Sequence, residues 1–304
     1  AGSDETQGHK RGEGDNARLG VGIEGLSQCE LATQKALEFA RNRKQGHAKI
    51  DNRKGVILDH PDVRRMLITM KSLTAAVRAL CLDAALSLDL SKSNNKQTAS
   101  KENARASFLI PIAKAFSTDI GCRVADIGIQ VHGGMGYVEE TGVAQILRDV
   151  RVTAIYEGTN GIQAIDLVGR KMADSGKAAN GLIDEMKITI SNCSHHKDQQ
   201  IREMGTRLSK SLVCLESTLN WMLKQEDFNN RLAGATPFLQ AFGMILGANY
   251  LVKAAMKTDA LDRKSLAQFY CVNILPEMEA YGVISQSGQK SLYNFTDNFF
   301  GFSQ

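Results

Sequence analysis

The chain has 304 residues, and its 37 basic and 33 acidic side chains leave a net charge of +4. This charge is mild and mixed in sign, so it gives no indication of nucleic-acid or membrane binding. No apolar run approaches the roughly 20 residues that a membrane span requires. With 4 prolines and 6% aromatic residues, the composition favours helices over a many-stranded sheet.

The six cysteines are widely spaced, and none forms a CxxC pair. Most of them fall at apolar helical positions, which predicts buried free thiols and a reducing compartment. Cys193 lies close to His195 and His196, but no second cluster with ligand spacing accompanies them. We therefore predict a surface turn there and no metal site.

The first predicted helix follows a polar, glycine-rich segment. Residues 1–14 are expected to be disordered and to resemble an expression tag at their start. From Asp15, apolar residues recur at helical spacing to about Arg43, and Gly46 ends the pattern. The segment from Lys49 to Leu58 has little pattern and is predicted to be a loop.

Two more long helices follow. The second opens at His60-Pro61-Asp62 and carries apolar residues to Leu88. Ser91 to Lys101 is polar and predicted to be a loop. The third helix carries apolar residues from Phe108 to Val131 and stops at Gly133-Gly134. Three long helices with short connections predict an antiparallel bundle.

The remainder of the chain predicts a second helical domain. A helix from Ile162 to Met172 precedes the linker candidate at 173–180, and Pro276 should bend or break a later helix. The segment Ala233 to Leu251 is apolar and is expected to be buried within this domain or against another subunit. The predicted helices of this part are Leu182–Ile190, Ile201–Leu223, Pro237–Met256, Leu261–Ala280 and Ser287–Phe299.

The most informative stretch runs from Gln130 to Gln163. In it, Glu157 follows the apolar run Val152–Tyr156 and precedes Gly158-Thr159-Asn160-Gly161. The glycines permit close backbone approach, and Thr159 or Asn160 can cap a following helix. A desolvated carboxylate at Glu157 would be a candidate general base. The alternative is an acid that only stabilises the start of the helix through its dipole.

Two other features of the first half of the chain are weaker indications of a binding site. The turn that begins at Gly133 follows a helix rather than a strand, so it is not a dinucleotide fingerprint. It is a C-cap that also allows close ligand approach. The basic helix end 41–45 either pairs with the helix dipole or grips a phosphate, which arginine does through two parallel hydrogen bonds.

The run QVHGGMGYVEETGVAQILRDVRVTAIYEGTNGIQ resembles the C-terminal helical domain of the acyl-CoA dehydrogenase family. The likeness extends back through HPDVRRML, RNRKQG and DNARLGVGIEGL, and covers roughly Asp15 to Met172. The rest of the chain resembles the extra helical domain of the family's long branch, which includes 3-methylmercaptopropionyl-CoA dehydrogenase. The implied fold is all-α, with a bundle at 15–175 and a second helical domain at 176–304.

The resemblance implies FAD-dependent α,β-dehydrogenation of an acyl-CoA thioester in fatty acid β-oxidation, with Glu157 as the base that removes the α-proton. It places Asp15, Arg18 and Gly158 at the substrate, and Thr159 and Asn160 at the flavin. Arg43 and Gln45 match the grip on the FAD pyrophosphate. The residues matched to the adenosine end of a neighbouring subunit's FAD are Gln130, Gly133 and Gly134.

The implied partners are electron-transfer flavoprotein as acceptor and further copies of the chain in a dimer or tetramer. The family has an N-terminal helical domain and a β-domain before the helix at Asp15. We therefore expect this chain to be the C-terminal portion of a longer enzyme, and to be inactive alone. The expected location is the bacterial cytoplasm or, alternatively, the mitochondrial matrix.

Two other readings of the sequence stay open. One is an alkylation-response flavoprotein that binds DNA through a basic C-terminal region. Residues 177–304 carry 13 basic and 12 acidic side chains, a net of +1 that argues against it. The other is a non-catalytic helical oligomerisation module.

Overall fold

The structure is a computed structural model that describes residues 3–46 and 55–301, with side chains from Gly14 onward. In these ranges it has twelve α-helices and four short 3₁₀ helices. The α-helices, in chain order, are α1 Ser3–Asn42, α2 Pro61–Leu90, α3 Lys96–His132, α4 Gly134–Tyr137, α5 Val143–Thr153, α6 Asn160–Val168, α7 Lys177–Ser194, α8 Gln199–Lys224, α9 Phe228–Ala233, α10 Ala235–Ala255, α11 Leu261–Asn273 and α12 Glu277–Ser285. The 3₁₀ helices are Ile57–Asp59, Glu139–Thr141, Arg170–Met172 and Asp297–Phe300.

Helices α1, α2 and α3 pack against one another and form the predicted three-helix bundle. The contact between α1 and α3 is close because glycines face α3. A Cβ atom placed on Gly25 would lie 2.9 Å from the carbonyl oxygen of Ser117, and one on Gly22 would lie 2.9 Å from that of Ala113. Side chains at these glycines would separate the two helices, so glycine sets the distance between them.

Helix α10 lies at the centre of the molecule. It contacts α2, α3 and α6 of the first half, and α8, α11 and α12 of the second. Its composition would allow it to cross a membrane, but 78% of its most apolar window is buried inside the structure. Phe242 packs edge-on against Phe108 of α3, with ring centroids 5.1 Å apart. Packing within the molecule therefore accounts for its apolar surface, as predicted for 233–251.

A half-buried ionic network also joins the two halves. The guanidinium of Arg105 on α3 donates to Asp83 on α2 and to Glu185 on α7, at distances from 2.7 to 3.0 Å. The hydroxyl of Tyr250 on α10 donates to the same Asp83 carboxylate over 2.6 Å. Burial acts to lower the pKa of Arg105, but its two carboxylate partners raise it overall. The arginine therefore stays charged and ties four helices together.

Helix boundaries differ from the predictions at several N-termini. Helix α7 begins at Lys177, inside the linker candidate at 173–180. Helix α1 continues back to Ser3, through most of the segment that composition predicts to be disordered. This segment has no proline, and each of its glycines weakens a helix by only about 1 kcal/mol without ending it. Helix α3 begins at Lys96 inside the predicted loop, because the Asn95 side chain accepts hydrogen bonds from the backbone N–H groups of Gln97 and Thr98.

The C-terminal part gives one confirmed prediction and one wrong one. Pro276 separates α11 from α12, as predicted. The predicted helix Ser287–Phe299 is wrong, since this segment consists of turns and a 3₁₀ helix. Gly288 has a φ of +69°, and the N–H of Gln289 donates to the Asn230 side chain instead of continuing a helix. The predicted loop at Lys49–Leu58 falls mostly on residues 47–54, outside the described residues.

Candidate active site

A tight loop between α5 and α6 presents Glu157. The N–H of Asn160 donates to the carbonyl oxygen of Ala154 over 3.1 Å and closes the loop. Thr159 is the N-cap of α6, and its hydroxyl accepts from the N–H of Ile162 at 3.4 Å. The sequence-based prediction that Thr159 or Asn160 caps this helix is therefore confirmed for Thr159.

Glu157 itself has a left-handed backbone, with a φ of 54°, and Gly158 follows with a φ of 84°. For a residue with a Cβ atom, this conformation costs about 1–3 kcal/mol, so its surroundings must hold it. The Glu157 side chain is exposed, in contrast to the desolvated carboxylate that the preceding apolar run predicts. Within the described chain, the Glu157 N–H makes no hydrogen bond and can donate to a ligand oxygen.

The surface around this carboxylate is apolar. Five large apolar side chains beside the loop are between 37% and 53% exposed. An exposed apolar patch beside a presented carboxylate is typical of a surface that another domain or a ligand covers. These residues are Val152, Ile155, Tyr156, Ile162 and Ile165. The predicted desolvation of Glu157 therefore requires a covering group.

Tyr156, which precedes the base candidate, is tied to α1. Its hydroxyl donates to the carboxylate of Glu24. This hydrogen bond, with a smaller contribution from burial, raises the pKa of Tyr156 to about 12. The phenol therefore stays neutral, and the bond fixes the side of the loop that faces α1.

A fully buried lysine supports the loop from inside. Lys114 on α3 has 0% side-chain exposure. Its ammonium donates to the carbonyl oxygen of Gly158 and to the Oδ1 atom of Asn160, both at 2.9 Å. The amide of Gln163 donates to the carbonyl oxygens of Glu157 and Gly158, at 3.1 and 3.3 Å. Both strained residues thus have their carbonyl groups held by buried side chains.

The polar contacts continue from Asn160 to α10. The Asn160 side-chain N–H donates to Asp119 Oδ1 at 2.7 Å and to Thr118 Oγ1 at 2.9 Å. The other oxygen of Asp119 accepts from the amide of Gln240 at 2.6 Å. We call the series Gln240, Asp119, Asn160 and Lys114 the loop-support network. It runs from the N-terminal part of α10 to the backbone of the loop.

The two charged members of the loop-support network are perturbed in opposite directions. Burial lowers the pKa of Lys114 to about 8, against opposing effects of nearby Asp119 and Glu157. Burial also raises the pKa of Asp119, although its hydrogen bonds from Asn160 and Gln240 act to lower it. Burial therefore disfavours both charged forms, and the network holds its geometry through hydrogen bonds.

The predicted substrate residues Asp15 and Arg18 lie in a charged cluster with the end of α6. Arg18 Nη1 is 3.2 Å from Asp166 and 3.8 Å from Asp15. Asp166 also binds Arg170 at 2.8 Å. Burial acts to raise the pKa of Asp166, but Arg170 and neighbouring cations lower it overall. Asp166 belongs to α6, which begins directly after the Glu157 loop, so the cluster lies within about two helical turns of that loop.

The predicted FAD residues on the other side of the bundle meet in one cleft. This cleft has a volume of about 610 Å³, within the usual range of ligand pockets. Arg43 supplies a guanidinium, and Gly133 has a φ of 60° at the end of α3. The cleft is lined by all five residues assigned to the pyrophosphate and adenosine, namely Arg43, Gln45, Gln130, Gly133 and Gly134.

The donors in this cleft fit a nucleotide. A guanidinium matches a pyrophosphate, side-chain amides match a purine, and two glycines leave the backbone open to close approach. Phe39 and His132 stack with centroids 4.4 Å apart and line the cleft with an aromatic surface. His132 Nδ1 is 2.7 Å from the carbonyl oxygen of Gly128, and burial lowers the pKa of this imidazole.

The structure thus groups the predicted residues into two places. Glu157, Gly158 and Thr159 form the exposed loop, with Arg18 nearby. Asn160 was assigned to the flavin by resemblance, but its side chain lies inside the loop-support network. Sequence reasoning missed Lys114, although a lysine within the apolar run of α3 is a visible signal of a buried, paired charge. Cys193, considered for a metal, is buried with its sulfur 3.7 Å from that of Met256.

Fold and site together define an all-α protein with a nucleotide-sized cleft and a carboxylate presented at a helix start. Comparison with known proteins identifies the family. Residues 13–173 match the family model described as acyl-CoA dehydrogenase, C-terminal domain, and residues 182–296 match one described as acetyl-CoA dehydrogenase C-terminal like. The first match covers more than half of the chain, so the chain belongs to the acyl-CoA dehydrogenase family.

Individual relatives agree with this assignment. The 3-methylmercaptopropionyl-CoA dehydrogenase of Ruegeria pomeroyi is 36% identical over 250 residues, which are 81% of this chain and 42% of that enzyme. A butyryl-CoA dehydrogenase of Syntrophomonas wolfei is 38% identical over 159 residues, which are 51% of this chain and 26% of that enzyme. The chain therefore spans less than half of the length of these relatives.

A solved structure shares the fold. The Bacillus anthracis acyl-CoA dehydrogenase complexed with FAD has a TM-score of 0.72, with 16% identity. The match covers 96% of this chain and 51% of that one. At this identity the likeness supports the fold alone, and it extends through both helical parts of the chain.

Proposed function

We propose that the full-length protein catalyses the α,β-dehydrogenation of an acyl-CoA thioester, with Glu157 as the base that accepts the α-proton. The observation that carries this proposal is the geometry of the Glu157 loop. A left-handed turn directs one carboxylate outward, and buried donors hold both of its carbonyl groups. A general base must be positioned in this way before it can contribute to the rate.

The residues of this chain have separate roles in the proposed reaction. The Glu157 carboxylate takes the α-proton and becomes the neutral acid. The residues proposed to hold FAD would place it at the substrate, where it would supply the acceptor for the hydride of the β-carbon. The free N–H of Glu157 donates to the thioester oxygen, where negative charge develops as the α-proton leaves. Gly158 keeps that surface free of a side chain.

The cleft around Arg43 is the proposed place for the FAD pyrophosphate and adenosine. Its glycine and guanidinium lining supports this assignment, as does its separation from the Glu157 loop. Because the family resemblance assigns these contacts to a neighbouring copy's FAD, we propose a dimer or tetramer. Electron-transfer flavoprotein is the proposed acceptor.

The apolar surface around Glu157 supports the further proposal that the chain 1–304 is inactive alone. A general base gains strength when water is excluded from it. In this chain the carboxylate is exposed, and its apolar neighbours are uncovered. The rest of the full-length protein and the acyl chain would cover this surface.

The test uses the full-length protein with a series of acyl-CoA thioesters and an electron-acceptor dye. Glu157→Gln should slow reduction of the flavin by about 10²–10⁴-fold, the usual contribution of a general base. The flavin absorption spectrum should remain, since Glu157 is not among the residues proposed to hold FAD. Glu226→Gln changes an exposed carboxylate between α8 and α9, and serves as the matched control.

Two results would contradict the proposal. Absence of flavin reduction with every thioester would refute the activity. Full activity of Glu157→Gln would show that another group takes the proton. The same assay on the chain 1–304 should show no turnover, and robust turnover would refute its predicted incompleteness.

A further inference from the structure

We infer that the extra C-terminal helical part positions the Glu157 loop through Gln240, which makes Gln240, Asp119 and Lys114 positioning residues for the proposed base. The kinetic part of this inference rests on the proposed function. The structural part does not, since it concerns only how the loop is held.

The loop needs an external support. Glu157 and Gly158 are consecutive residues with φ values of 54° and 84°. Each turns its carbonyl oxygen toward the interior, where Gln163 and Lys114 donate to it. A buried carbonyl must find a donor, so these two side chains select the left-handed conformation over alternatives.

The support itself depends on Asp119. Lys114 reaches the loop from the middle of α3 and has 0% exposure, so its ammonium needs partners inside the protein. Asn160 Oδ1 accepts from the ammonium at 2.9 Å, and Asp119 accepts from Asn160 at 2.7 Å. The carboxylate thereby fixes which way the Asn160 amide faces, with its oxygen toward the lysine.

The orientation of Asp119 in turn depends on α10. Asp119 is half-buried, and its Oδ2 atom accepts from Gln240 at 2.6 Å. Gln240 is 9% exposed and belongs to the second family match, whereas the other three residues belong to the first. Without Gln240, Oδ2 loses this donor, and Asp119 can rotate toward the lysine and release Asn160.

Charges near the network come from both sides of the loop. The charges of Asp119 and Glu157 act to raise the pKa of Lys114, and that of Arg18 acts to lower it. The charges of Arg151 and Lys114 act to lower the pKa of Asp119. A change in Asp119 therefore reaches Glu157 through its backbone support, because Asp119 holds Asn160 and Asn160 accepts from Lys114. This effect changes the position of the base.

Hydrogen–deuterium exchange of the full-length protein tests the structural part without any need for activity. In Gln240→Leu, the peptide around 154–164 should exchange about tenfold faster, a change in opening free energy of about 1.4 kcal/mol. The matched control is Gln286→Leu. The Gln286 amide donates to Thr218 and to the Gly282 carbonyl, so its bonds stay within the C-terminal helices.

Asp119→Asn is the second variant, because it changes one atom and removes the charge while keeping the shape. It should accelerate exchange in the same peptide even if Gln240→Leu unfolds globally. Unchanged exchange at 154–164 in Asp119→Asn would overturn the inference. Equal acceleration at this peptide in Gln286→Leu would also overturn it, because that result would indicate a general loss of stability.

The kinetic part uses the same variants in the dye assay. Gln240→Leu should lower kcat about tenfold, leave KM nearly unchanged, and shift the pH profile of kcat. Faster loop exchange with an unchanged kcat and pH profile would refute a role in positioning the base while retaining the structural link. If the wild type itself has no activity, the proposed function fails and the exchange result still decides the structural part.

Discussion

The lysine beneath the Glu157 loop makes the stability of the protein depend on pH in an unusual direction. Lys114 has a pKa of about 8 in the folded state, against an ordinary value of 10.5, and burial is the largest cause. Because its side chain is fully buried, solvent does little to screen this effect. The difference corresponds to about 3 kcal/mol of folding free energy.

The sign follows from proton binding in the two states. Below about pH 8, Lys114 is charged in both states, and the folded state bears the full cost of burying the charge. Between this pH and the ordinary lysine pKa of about 10.4, the unfolded chain binds more protons than the folded one. The contribution of Lys114 to the free energy of unfolding therefore rises with pH across this window.

Urea unfolding followed by circular dichroism, at several pH values from 7.5 to 10.5, measures this contribution. The comparison is between the wild type and Lys114→Met, which keeps an apolar chain of similar length. The free energy of unfolding of the wild type should rise relative to that of the variant by about 3 kcal/mol over this range. All other titrations are common to both proteins and cancel in the difference.

Lys264 provides a control of opposite sign. Its hydrogen bond to Asp198 raises its pKa, so its stabilising effect is present below the ordinary lysine pKa and is lost as pH rises further. The free energy of unfolding of the wild type should therefore not rise relative to that of Lys264→Met in this window. A difference in the free energy of unfolding between wild type and Lys114→Met that stays constant with pH would refute the reasoning. It would mean that Asp119 keeps the buried lysine protonated throughout.

Two further substitutions test the packing around the site. Arg105→Met should lower the free energy of unfolding by about 3–5 kcal/mol, because it leaves Asp83 and Glu185 without their shared cation. Urea unfolding measures this loss, and a loss below about 1 kcal/mol would contradict the prediction. Gly25→Ala should lower the free energy of unfolding by about 1–3 kcal/mol, because its new methyl group would lie 2.9 Å from the α3 backbone. Gly20→Ala on the same helix meets open space and should stabilise by up to about 1 kcal/mol, so a similar loss in both variants would contradict this account.

The long helices could be predicted from the sequence because their information is local. Helix α2 has proline at its first position and an apolar stripe along its whole length, and both features depend only on residues near in sequence. Pro276 likewise removes a backbone donor wherever it stands, and the chain breaks its helix there. The turn at Gly133 was predictable because glycine adopts the φ of 60° and ψ of −139° that end α3 far more readily than a residue with a Cβ atom.

Two of the failures, the predicted helix Ser287–Phe299 and the predicted burial of Glu157, depend on contacts between distant residues. Ser287–Phe299 has apolar residues at helical spacing, but its backbone is held by Asn230. Its aromatic residues cluster with one another, with Phe295 and Phe299 centroids 4.6 Å apart. The exposure of Glu157 was missed for a similar reason, since an apolar run predicts burial only if something packs on it.

The candidate site divides in the same way. The carboxylate and the glycine-rich loop are visible as a local motif, and the cleft residues were found because two short motifs match the family. Lys114 and Gln240 lie 126 positions apart in the sequence, and they belong to one network only after α3 and α10 have packed together. Neither residue has a local pattern that reveals its partner.

The burial of a lysine and the strain of the neighbouring loop explain each other. A left-handed Glu157 directs its side chain outward only if its carbonyl, and that of Gly158, turn inward. Inward carbonyls in a protein interior require donors, and α3 supplies one through Lys114 at 2.9 Å. Methionine would fill the same space at a lower desolvation cost but would leave the Gly158 carbonyl with only the longer bond from Gln163. A buried charge at this position is therefore the cost of presenting one carboxylate in a fixed direction.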